Sequence, residues 1–122
     1  MEREAFEELV AEALAALPAD YLKMLDNVAV VVEDWPDRAT LHAAGVRSPY
    51  QLLGFYHGIP QPLRNSSYGL VPPDKISIYQ RPIERQCRTI AEVRELVSRV
   101  IRHEIAHHFG ISDDRLRELG AY

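Results

Sequence analysis

The chain has 122 residues, with 14 Lys and Arg, 18 Asp and Glu, five His and one Cys, for a net charge of −4. That is the length of one domain, and a hydrophobic fraction of 47% with 26% charged residues excludes a disordered, collagenous or disulfide-stapled chain. No window approaches the roughly 18 to 20 apolar residues of a membrane span, and the acidic opening Glu2, Arg3, Glu4 is the wrong start for a signal peptide. The expectation is a cytoplasmic protein with no membrane partner. Cys87 has no second cysteine to pair with, so any metal must be held by His and carboxylate rather than by thiolates. The charge is uneven: residues 1–37 carry ten acids and two bases, and residues 38–122 carry eight acids and twelve bases. The arginines at 81, 85, 88, 94, 99 and 102 alternate with Glu84, Glu92 and Glu95 and lack interleaved aromatics, which counts against nucleic acid as a partner.

From Glu2 to Leu17, Phe6, Leu9, Val10, Ala13, Leu14 and Leu17 recur at three and four, the mark of a helix with one face on a core. Pro18 stops it, and Ala19 to Leu25 allows a short further helical turn. Val28 to Val32 are five consecutive apolar residues, four of them β-branched, and predict a buried strand. Arg38 to Ala44 is ambiguous between helix and loop. Tyr50 to His57, rich in Leu and aromatics, reads as a strand with a bend or a close backbone approach at Gly54. The segment 61–74, with its prolines, Gly69, Asn65 and two serines, predicts a long loop and a candidate lid. Lys75 to Gln80 predicts a third strand ended by Pro82. Thr89 with Glu92 forms a capping-box pattern for a long helix to Phe109, with Gly110 as its C′ residue, and Ser112 as the cap of a last short helix at 113–119.

The long helix contains His103, Glu104, Ile105, Ala106 and His107, the H-E-x-x-H arrangement of zinc sites. Shuffling this composition gives the pattern in about two of a hundred cases, so context must carry the argument. With about 100° per residue and Val93 as zero, Leu96, Val97 and Val100 lie at about 300°, 40° and 340°. His103, Glu104 and His107 follow at about 280°, 20° and 320°, on the same stripe. A buried carboxylate beside two imidazoles is costly unless a cation compensates it, and a spacing of four brings both imidazoles toward one ion. His108 falls at the flank of the stripe, as a supporting or exposed residue, while His42 and His57 stand alone.

A catalytic zinc takes three protein ligands and leaves one position open. Gly110 allows the chain to reverse, and Asp113, three residues on, supplies the third ligand, with Asp114 as its competitor. The segment HEIAHHFGISDD is similar to the active-site segment of the small bacterial zincin-like metallopeptidases, whose signature is H-E-x-x-H-x-x-G-x-x-D. LLGFYHGIP from Leu52 and KISIYQR from Lys75 also resemble that family. The resemblance runs from about residue 28 onward. It implies an α+β fold with an N-terminal helix, a three-stranded sheet, a long active-site helix and a short C-terminal helix, in one zincin-like metallopeptidase domain spanning 1–122. It implies zinc on His103, His107 and Asp113, with Glu104 as the catalytic carboxylate. The string is similar to the metzincin motif too, but Asp113 stands where that motif has a third His, and no methionine follows the helix.

The expected function is zinc-dependent hydrolysis of a peptide or protein substrate, by a metal-activated water with Glu104 as general base. An extended substrate would add to the edge of the Leu52–His57 strand, and Tyr79, Tyr122 or His57 would stabilise the oxyanion. Two alternatives stand beside it. One is a metal-dependent hydrolase of another bond, RNA included, and the other is a non-catalytic, metal-stabilised binding or regulatory module.

Overall fold

Apolar periodicity does most of the folding, and it places two helices on one side of a small sheet. The computed structural model describes residues 1–58 and 74–109. In chain order these form α1 (Arg3–Ala15), α2 (Ala19–Met24), β1 (Val28–Glu33), α3 (Arg38–Ala44), a 3₁₀ turn (Pro49–Gln51), β2 (Gly54–His57), β3 (Asp74–Tyr79), α4 (Gln80–Arg85) and α5 (Ile90–His108). The architecture is α+β, with five helices and a three-stranded sheet among the described residues. The expected C-terminal helix at 113–119 and the turn at Gly110 lie outside the described residues.

The strand order is β1-β3-β2. β1 runs parallel to β3, Val28 opposite Asp74 through Glu33 opposite Tyr79, and β2 runs antiparallel to β3, Gly54 opposite Ile78 through His57 opposite Lys75. Alternation then decides the two faces. Val28, Val30, Val32, Tyr56, Ile76 and Ile78 turn inward against Phe6, Leu9, Val10 and Ala13 of α1 and Val93, Val97, Ile101 and Ile105 of α5. Burying a side chain such as Phe6 or Ile101 completely contributes about 1.5–3 kcal/mol. Arg3 fastens α1 to this frame, donating to Gln80 Oε1 at 3.0 Å, to the Val32 carbonyl at 3.1 Å and to Asp34 Oδ1 at 2.7 Å. The Arg3 hydrogen bond holds the Asp34 carboxyl below its usual range.

Several boundaries differ from the sequence reading, each for a local reason. Arg38 to Ala44 is helical because Asp37 caps it, accepting from the Thr40 N–H at 2.7 Å, and because Gly45 ends it at φ 73°, where only glycine is unstrained. The second strand begins at Gly54 rather than at Tyr50, since Ser48 accepts from the Tyr50 N–H and Pro49 winds the chain into a 3₁₀ turn. Pro82 does not stop the chain: it sits in the first turn of α4, where no backbone N–H is needed. Asp74 opens β3 instead of closing the loop, and the rest of the expected lid lies outside the described residues. Thr89 caps α5 as its sequence predicts, accepting from the Glu92 N–H at 3.1 Å.

Candidate active site

At Gly54 the sheet and the long helix come close together. A Cβ there would lie 2.7 Å from Val100 Cγ1, 3.1 Å from the Ser77 carbonyl oxygen and 3.5 Å from Glu104 Cγ, so only glycine lets α5 settle onto β2. The close approach expected at this residue is therefore real. It brings the C-terminal half of α5, with its imidazoles and carboxylate, alongside the outer strand of the sheet.

The ladder fixes which β2 groups face that helix. The Tyr79 N–H donates to the Leu53 carbonyl at 2.9 Å, so in the antiparallel pair the odd residues of β2 bond to β3 and the even ones turn their N–H groups away from it, to the edge that no described strand covers. The Tyr56 N–H accordingly leaves the sheet and donates to Glu104 Oε2 at 3.2 Å. Burial pushes the Glu104 carboxyl up to about 7, against the opposing pull of that N–H.

His103 and His107 lie one turn apart on α5, with ring centroids 6.1 Å apart and planes at 80°. The three residues do not share one degree of burial. The buried stripe runs through Val97, Ile101 and Ile105, so it drifts as the helix reaches β2. Glu104 is half-buried and largely dry, His103 is half-buried, and His107 is exposed. The sequence wheel put all three on the core side. The correction is that Glu104 and His103 are only partly folded in and His107 stands at the accessible margin, where a ligand pair can open toward a substrate.

A second cluster completes this end of the molecule. The Tyr56 ring stacks on His108 with centroids 3.7 Å apart and planes within 8°, and the Tyr56 hydroxyl donates to Asp74 Oδ2 at 2.9 Å. His108 Nε2 lies 3.7 Å from the same oxygen. Asp74 is buried at the start of β3. Sequence reasoning gave His108 a supporting place but missed Tyr56 and Asp74, because two residues eighteen positions apart meet only through strand pairing. The one available signal was an acid placed directly before an alternating strand.

Among the sequence candidates for the oxyanion, His57 and Tyr79 fall on the opposite face of the sheet from Tyr56 and Glu104. There Ser77, fully buried, donates to Glu33 Oε2 at 2.6 Å and lies 3.2 Å from His57 Nε2. Burial pushes the His57 imidazole pKa down and the Tyr79 hydroxyl up. Alternation along the strands is the reason for the separation. Tyr122, Asp113 and Asp114 lie outside the described residues, and among the described residues no three metal-ligating side chains converge.

A helix carrying H-E-x-x-H against the edge strand of a small mixed sheet is the arrangement expected of a zincin. Residues 25–121 match the family model described as zincin-like metallopeptidase, and the chain belongs to that family. No curated protein matches the chain. No helix among the described residues is long and apolar enough to cross a membrane.

Proposed function

We propose that the protein is a zinc-dependent peptidase in which His103, His107 and Asp113 hold the ion, Glu104 is the general base, and residues 1–122 act as one catalytic domain. The observation that carries this reading is the position of Glu104: it shares one helix with two imidazoles that stand a turn apart, and it is held by the Tyr56 N–H of an edge strand. Two imidazoles one helical turn apart and one aspartate carboxylate are a donor set that suits zinc. Bound there, zinc supplies a Lewis acid that polarises the scissile carbonyl and acidifies water.

The remaining steps belong to the chain. An extended peptide adds to the edge of β2 that no described strand covers, pairing with backbone groups on the side of α5. Glu104 takes a proton from the attacking water and hands it to the leaving amine nitrogen. Asp74 and His108 fix the ring of Tyr56 and so keep its N–H aimed at Glu104. Placement in the cytoplasm is part of the same proposal.

The test is Glu104→Gln, which keeps size and hydrogen bonding but removes the base. Zinc content, measured by atomic spectroscopy, should be unchanged, and zinc-dependent cleavage of an unstructured peptide library, read by mass spectrometry, should fall by roughly 10² to 10⁴. Cleavage at the full rate in the variant would reject the mechanism.

A further inference from the structure

The other face of the sheet carries a second surface. α3 lies across it, with Thr40 buried beside Tyr79. Between α3 and the segments that flank it on either side is an open cleft of about 430 Å³, lined by Trp35, Leu41 and Val46 with Arg38, His42 and Arg47. Trp35 is 39% exposed and Tyr50 50% exposed, and their rings meet edge to face at 5.1 Å. The Arg85 guanidinium lies over the Tyr50 ring at 4.6 Å and extends the basic rim.

The charges around this cleft are unevenly satisfied. Asp34 is taken by Arg3 and Arg81, and Asp37 is turned into the cap of α3. Among the described residues no carboxylate forms an ion pair with Arg38, Arg47 or Arg85, and none lines the cleft. Elsewhere Arg81, Arg94 and Arg99 each have an acidic partner. The site thus combines exposed Trp and Tyr with uncompensated Arg over an apolar floor, the composition that dominates binding energy at protein interfaces.

We infer that this cleft docks an acidic segment of a partner protein, with an aromatic or aliphatic side chain seated between Trp35 and Val46 and carboxylates on Arg38 and Arg47. Charge complementarity selects a short acidic peptide over nucleic acid. The cationic rim has three arginines and no continuous basic track, and the chain as a whole is at −4, with ten acids in its first 37 residues to repel a long polyanion. The inference stands independently of the peptidase reading, since no residue of the cleft belongs to α5 or β2.

Trp35 is the one tryptophan of the chain, so its fluorescence reports on the cleft alone. The probe is an acetylated, amidated octapeptide of alternating glutamate and phenylalanine, titrated into the whole zinc-loaded protein. Controls are the glutamine-for-glutamate and serine-for-phenylalanine versions, and a single-stranded DNA octamer. The expected result is saturable quenching or a spectral shift of Trp35 by the acidic peptide, weakened at least tenfold in Arg38→Glu/Arg47→Glu, by either control peptide, and between 50 and 300 mM salt. Both arginines are exposed, so circular dichroism should show the variant folded as the wild type is. Absence of a signal to millimolar peptide would overturn the inference. So would equal binding by the charge-reversal variant, tighter binding of the DNA octamer, or a wild-type self-association that the variant abolishes.

Discussion

The two halves of α5 are built on one spacing and do opposite things. From Val93 to Ile101 the inward residues are aliphatic and close against α1, and nothing polar intrudes. From His103 to His108 the same helix carries a carboxylate and three imidazoles, and it meets β2 where Glu104 accepts from the Tyr56 N–H and His108 stacks on the Tyr56 ring. The first half is held mainly by burial, with one exposed ion pair from Arg94 to Glu12, and the second adds directed contacts across a glycine to the burial of Ile105 and Ala106. A helix thus supplies rigidity at one end so that it can hold an expensive constellation at the other.

The sharpest break in that comparison comes from the imidazoles. His103→Ala or His107→Ala should lower zinc from one equivalent per chain to none after dialysis against buffer, with the secondary structure measured by circular dichroism largely retained. Stoichiometric zinc in the double variant would remove the site from this helix. In the aliphatic half, Ile101→Ala should cost about 2–5 kcal/mol in denaturant unfolding and leave zinc stoichiometry in the folded protein unchanged.

Glu104 makes the polar half depend on pH. Its folded-state pKa of about 7 lies above the ordinary 4.5, so the folded protein holds the proton more tightly than the unfolded chain. In metal-stripped protein, stability should be greatest below pH 4.5 as far as this group is concerned, and should fall by about 3 kcal/mol between pH 4.5 and 7. Glu104→Gln should flatten that slope, as read from urea melts across the range. The smallest effect is expected at the junction: Gly54→Ala, with its added methyl 2.7 Å from Val100 Cγ1, should cost about 1–3 kcal/mol and reduce cleavage by moving β2 from Glu104.

Much of this frame is legible in the sequence, because its signals are local. The three-and-four spacing of α1, the β-branched run of β1 and the Thr89 capping box each fix an element without reference to the rest of the chain. The pair of histidines with Glu104 is legible for the same reason. What escaped depends on partners. Tyr50 and Gln51 look like strand, but Ser48 and Pro49 wind them into a turn. The exposure of His107 follows from where β2 lies, which no helical wheel contains. Tyr56 and Asp74 meet only because β2 pairs with β3 in one particular register.

The bond from the Tyr56 N–H to Glu104 has a consequence for solubility. A strand edge with unpaired N–H groups is a template on which other chains stack, and proteins blunt such edges with charge or cover. Here the donor at the middle of the β2 edge is already taken by a side chain of the molecule's own helix. The carboxylate proposed as the base also keeps sheets of neighbouring copies from joining there, so a strand that binds at this edge must first displace the group that would act on it.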